Sequence, residues 1–168
     1  MKAARQREAM RAQNILGYNE QLLLDFPDGL LTAHEPTIAE RLQALIEAQQ
    51  PDTIFCPFPA DGHGDHQATA LATGHAAVAA GFDGPVLAYE VWTPMWPNAC
   101  VDISALATLK RQAIEVYAPQ VQNRDYAAAA LGLNRYRGMR HSVDMAEAFF
   151  ATSPKDFVRL SAALNSLN

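Results

Sequence analysis

No stretch of this 168-residue chain approaches the roughly 20 consecutive apolar residues that a membrane-spanning helix needs. A membrane span is therefore excluded as the basis of its function. Cysteine is scarce too, with only Cys56 in an apolar run and Cys100 in a polar stretch. Two unclustered cysteines read as reduced thiols instead of a disulfide framework, which makes a cytoplasmic setting the expectation. Basic charge is also in short supply: 13 Lys and Arg stand against 18 Asp and Glu, for a net charge of −5 at pH 7. Nucleic-acid binders need a dense cationic surface to displace counterions, so that class is dropped. The opening residues, "MKAARQREAMRAQNILG", are basic but lack the apolar core and small-residue cleavage site of a secretory signal.

Apolar residues are plentiful at 49%, with 18% charged, which is the balance of a soluble globular protein. The length suits one domain spanning residues 1–168. Residues 3–16 carry Met10, Ile15 and Leu16 among Arg, Gln and Ala, a pattern that predicts an exposed helix stopped by Gly17. "QLLLDF" (21–26) predicts a short strand and "PDG" a turn. In 36–50, Ile38, Leu42, Leu45 and Ile46 share one helical face, with Pro36 near the start. "DTIFCPF" (52–58) is a continuous apolar run, as expected of a strand buried on both faces of a parallel sheet. An Ala-rich helix at 67–81 and a strand at 85–92 follow. Residues 105–117 predict a further helix, "LNRYRGMRH" (133–141) a solvated basic turn, and 154–167 a terminal helix. Alternating helices and strands predict an α/β fold with a mostly parallel sheet.

In open α/β sheets, ligands bind where the strands end and loops lead into helices. "PADGHGDHQAT" (59–69) occupies that position after the "TIFCPF" strand. His63 and His66 are three residues apart, so on a first helical turn or a tight loop both imidazoles can face one point. Asp61 and Asp65 are placed to hold the rings in a chosen tautomer, as carboxylates beside a metal do. A His-x-x-His pair alone is weak evidence of a metal, and a histidine near a strand end is usually surface decoration. Other histidines add little: His75 is nine positions beyond His66, on the opposite helical face. His34 and His141 read best as solvated loop residues.

Taken together, these residues resemble the LmbE-like, or PIG-L, zinc-dependent de-N-acetylases, which remove acetyl from N-acetylglucosamine groups. The resemblance runs from about Arg5 to Phe149. It is carried by Arg5-x-x-Glu8, "FPDG" with Asp28, "PDTIFCP" leading to "DGHGDH", and "EVWTP" with Glu90 and Trp92. "VDIS", Lys110 with Tyr117 and Gln120, and "AEAF" (146–149) complete it. The family implies a Rossmann-like three-layer fold and a Zn2+ cofactor. It implies that His66 is a zinc ligand, and that His63 stabilises the oxyanion or protonates the leaving amine with Asp65 as its partner. Arg5 and Asp28 match positions that contact the sugar, and Glu90 and Trp92 join them as substrate-binding candidates. Trp92 and Trp96 could equally pack a loop.

The family's remaining zinc ligands and general base lie in an "HPDDE"-type segment after its first strand, and the chain has no His-Pro-Asp. The resemblance therefore predicts a domain lacking its first strand-helix units, roughly 30 residues or more. Three expectations follow. The chain is a fragment of a zinc deacetylase that by itself binds zinc weakly or not at all; or one half of a split enzyme; or a non-catalytic sugar-binding or interaction module. The expected partners are an N-acetylated amino-sugar conjugate and either a second copy of the chain or a complementing N-terminal segment, with neither nucleic acid nor a membrane span.

Overall fold

In the computed structural model, which describes residues 2–117 and 124–165, Gly17 ends the first helix as the sequence predicts. Its φ of 74° is open to glycine without strain, and its N–H returns to the Gln13 carbonyl at 2.7 Å. The elements in chain order are α1 (Lys2–Leu16), α2 (Glu35–Gln49), β1 (Ile54–Pro57), α3 (Gly64–Ala79) and β2 (Val86–Tyr89). Then come β3 (Ala99–Asp102), α4 (Ala107–Glu115), α5 (Tyr126–Met139), β4 (Ala146–Thr152) and α6 (Pro154–Asn165). Short 3-10 turns lead into α2 and α4. This is an α/β chain whose sheet has the strand order β1-β2-β4-β3.

The sheet is mixed, where a mostly parallel one is predicted. β1 runs parallel to β2, with Ile54 opposite Val86 and Pro57 opposite Tyr89, but β2 and β4 are antiparallel, with Val86 opposite Thr152. The expected parallel character is thus met in part, and three other expectations need correction. Residues 21–26 form no strand: Leu22 and Leu23 are exposed and Asp25 takes a positive φ of 61°. A short apolar run becomes a strand only when a partner strand takes up its backbone groups, and periodicity cannot supply that partner. Among the described residues β1 is a terminal strand of this sheet, and Phe55 is half exposed where burial on both faces is predicted. Finally, residues 133–139 are helical, the end of α5. The Asp125 carboxylate caps that helix by accepting from the Ala128 N–H at 2.8 Å, and the alanines that follow carry it through the arginines.

The described residues fall into two compact units, one within Met1–Leu24 and Cys100–Glu147, the other within Asp25–Ala99 and Ala148–Asn168. In the first, Ala9 and Ala12 of α1, Ala113 of α4, and Ala127 and Leu131 of α5 are buried. In the second, the core gathers Cys56, Ala70, Ala77, Val86, Ala88 and Phe157. The alanines and Gly74 of α3 let α6 come close: a Cβ on Gly74 would lie 2.9 Å from the Phe157 ring. Full burial of the Phe157 side chain contributes on the order of 1.5–3 kcal/mol from its removal from water.

Candidate functional site

The parallel register of β1 and β2 brings Pro57 and Tyr89 level, so the loops that follow both strands leave the same edge of the sheet. The loop after β1 carries Asp61 and His63 and turns into α3, whose first turn holds Asp65 and His66. The loop after β2 carries Glu90, Trp92 and Thr93.

Asp61 is fully buried and joins these loops. Its Oδ2 accepts from the Trp92 N–H at 2.8 Å and the Thr93 N–H at 3.2 Å. Its Oδ1 accepts from the His63 N–H at 3.1 Å and lies 2.8 Å from His66 Nδ1. Burial pushes the carboxyl pKa up, but the hydrogen bonds from Trp92, His66 and Thr93 outweigh it and hold the group below its ordinary value. Its backbone carbonyl accepts from the Gln67 side chain at 2.7 Å, and the Gly62 N–H donates to Thr93 Oγ1 at 2.9 Å.

His63 is the N-cap of α3, and its Nδ1 accepts from the Asp65 backbone N–H at 3.2 Å. The Asp65 carboxylate is turned elsewhere, accepting from the Gly29 N–H at 2.7 Å and the Leu31 N–H at 3.1 Å. Asp65 therefore meets His63 through its backbone instead of through the expected carboxylate–imidazole pair. The consequence is chemical. With Nδ1 accepting, neutral His63 carries its proton on Nε2, and charging the ring would break the cap. The rings of His63 and His66 lie with centroids 4.9 Å apart.

Of the substrate-binding candidates, Asp28 is exposed in the turn before Gly29, and the Gly29–Asp65 bond ties that turn to the histidine loop. Glu90 accepts from the Met95 N–H at 2.8 Å, closing the loop that presents Trp92, which is half exposed. Arg5 lies in the other unit, 3.6 Å from Glu8 on α1. His75 lies 3.0 Å from Glu35 Oε1, away from the cluster, and His34 packs on the Phe26 ring. Gln120 falls outside the described residues.

The first unit holds a cavity of about 420 Å³ walled by Ala12, Leu16, Lys110, Tyr117, Tyr126 and Glu147 among others. Lys110 and Glu147 form an ion pair there. The Tyr117 hydroxyl pKa is pushed up by burial, and by Tyr18 and Glu8 nearby, against the opposing pull of Arg5.

The resemblance implies zinc, and His66 suits one ligand position: a carboxylate holds one ring nitrogen and leaves the other for a metal. The set is not completed. Among the described residues no group of three or more His, Cys, Asp or Glu could hold a metal ion, so they do not by themselves make a zinc site. Asp61 ties together more of this site than its place in the sequence signals. Its aspartate in a Gly-rich loop was visible as a ring-holding candidate, but its four partners come from two loops about thirty residues apart.

Residues 1–77 match the family described as PIG-L, GlcNAc-PI de-N-acetylase. The fold is similar to the crystal structure of the conserved protein TT1542 from Thermus thermophilus, with 28% identity and a TM-score of 0.82 over 92% of this chain and 75% of that one. It is similar also to N,N'-diacetylchitobiose deacetylase from Pyrococcus horikoshii, at 20% identity and a TM-score of 0.79 over 90% of this chain and 64% of that one. GalB, the 4-carboxy-2-hydroxymuconate hydratase from Pseudomonas putida, is similar at 21% identity and a TM-score of 0.70, over 90% and 72%. At these identities the last two are likenesses of fold, and a hydratase among them means that the fold alone does not choose the reaction. The likeness to the PIG-L de-N-acetylases is thus carried by residues 1–77, and the likeness of fold by most of the chain.

Proposed function

We propose that this chain carries the histidine side of a de-N-acetylase site, acting on the N-acetyl group of an N-acetylglucosamine-type conjugate. The observation that carries the reading is the Asp61–His63–His66 cluster on the strand-end loops, inside the segment that matches the de-N-acetylase family.

Hydrolysis of an amide builds negative charge on the carbonyl oxygen, and a fixed donor aimed at that oxygen lowers the barrier. The exposed His63 ring, with Nδ1 engaged by the Asp65 N–H, offers Nε2–H as that donor. This geometry favours oxyanion stabilisation as the role of His63, since Nε2–H is the group left to face a substrate. Trp92 presents an aromatic face on which a sugar ring could stack, and Asp28 a carboxylate for its hydroxyls, with Glu90 shaping the Trp92 loop. Arg5 is proposed as a further sugar contact on the family pattern. His66 is proposed as one zinc ligand, with the other ligands and the general base supplied by a segment outside these residues or by a complementing chain.

A second reading, a non-catalytic sugar-binding module, is favoured by the absence of a metal-holding group among the described residues. One experiment separates the two. The chain, alone and joined to an upstream "HPDDE"-bearing segment of a family member, is incubated with an N-acetylglucosamine conjugate and Zn2+, and free amine is measured. Amine release by the joined protein that falls by about 10²-fold or more in His63→Ala supports the deacetylase reading. Saturable sugar binding without release in either form supports the binding module.

A further inference from the structure

Among the described residues, three of the four groups that reach the Asp61 carboxylate are backbone N–H donors: His63 on Oδ1, Trp92 and Thr93 on Oδ2. None of them can accept a proton. Among the described residues, a carboxyl in this position has no neighbour to which it could donate through Oδ2, and the fourth contact, 2.8 Å from Oδ1 to His66 Nδ1, is made by the oxygen that already accepts from His63. The proton between Asp61 and His66 therefore resides on the imidazole.

We infer that Asp61 is a positioning residue that fixes His66 with its proton on Nδ1 and its Nε2 lone pair free, and that it ties this choice to the Trp92–Thr93 loop. The same carboxylate holds both, so the loop and the ring are set by one buried group. Gly62 fastens the loop a second time through Thr93 Oγ1, independently of the carboxylate. What the free Nε2 is used for rests on the proposed de-N-acetylase reading; the tautomer and its coupling to the loop rest on the hydrogen-bond geometry alone.

An asparagine at position 61 makes the inference sharp. Its amide has one acceptor oxygen and one donor nitrogen in place of two acceptors. With the oxygen turned to the Trp92 and Thr93 N–H groups, the amide NH2 faces His66 Nδ1, which must then accept, and the proton moves to Nε2. The measurement is long-range 1H–15N correlation of the imidazole nitrogens in the full chain, above the ordinary histidine pKa of about 6.5, with His66→Ala identifying the His66 signals. The wild-type protein is expected to show a protonated Nδ1, and Asp61→Asn a bare Nδ1 with a protonated Nε2.

Thr93→Ala separates positioning from general support, because it loosens the loop and leaves the carboxylate in place. His66 should keep Nδ1 protonated in that variant. A bare Nδ1 in the wild type overturns the inference even if Asp61→Asn fails to fold. A switch in Thr93→Ala overturns it as well, since loop packing and not the carboxylate would then set the ring. Neither result depends on turnover, so loss of this inference leaves the deacetylase reading standing, and loss of that reading leaves the tautomer standing.

Discussion

Among the described residues, the Asp61 side chain meets four partners, more than either histidine ring in the site. Its carboxyl has a pKa below the ordinary 3.8 when folded, so its contribution to stability is fully present above that value and is lost as the pH falls through the lower folded pKa. Asp61→Asn should therefore cost about 2–3 kcal/mol at neutral pH, the scale of hydrogen bonds to a charged group, and less at a pH taken below 3.8. Urea unfolding at the two pH values checks this; a pH-independent difference would mean the charge is not what stabilises the loops. The two cysteines give a simpler contrast. Burial pushes the Cys56 thiol up to about 12, whereas Cys100 is half-buried. Under native conditions a thiol reagent should label Cys100 first and reach Cys56 at the rate of unfolding, as peptide mapping would reveal. At this scale the sequence is a fair guide to which residues gather. His63, Asp65 and His66 are local to one loop and one helical turn, and their proximity follows from spacing. It is a poor guide to what each side chain does: Asp65 turned from His63 to Gly29 and Leu31, because unpaired backbone N–H groups in a tight turn compete for a carboxylate.

Helices were legible where their stop signals were local. Gly17 ends α1 as its position predicts, whereas α2 closes at Gln50, whose left-handed backbone at φ 47° and N–H to Ile46 no glycine announces. Strands were less legible, since 21–26 and 54–57 are both short apolar runs and only the second found a partner. The basic run at 133–139 misled for the opposite reason. Its charges suggest solvent, yet Arg137 is buried within α5, where tertiary packing overrides composition. Close packing of α3 on α6 offers a test at this scale. In an exposed helix, Gly→Ala gains up to about 1 kcal/mol from propensity. At position 74 the new methyl would meet Phe157 at 2.9 Å and Val158 at 3.1 Å, so Gly74→Ala should instead destabilise by roughly 1–3 kcal/mol. Chemical denaturation measures it, and a gain in stability would mean that the two helices can part without loss.

For the molecule as a whole, metal binding is the deciding property. With one oriented histidine and no group of three potential ligands among the described residues, the chain by itself should bind Zn2+ weakly. Its thermal midpoint should not change when a chelator is added, and calorimetric titration should show no tight stoichiometric site. A tight site abolished by His66→Ala would require ligands that this structure does not bring together. The sequence by itself determined the α/β class, the local histidine cluster and the family likeness, because each rests on residues close along the chain or on ordered motifs. Only the tertiary structure decided the mixed sheet, the exposed edge at Phe55, and the junction at Asp61. Strand direction and a carboxylate shared between two loops depend on which distant backbone groups compete for the same partner, and no local pattern records the outcome of that competition.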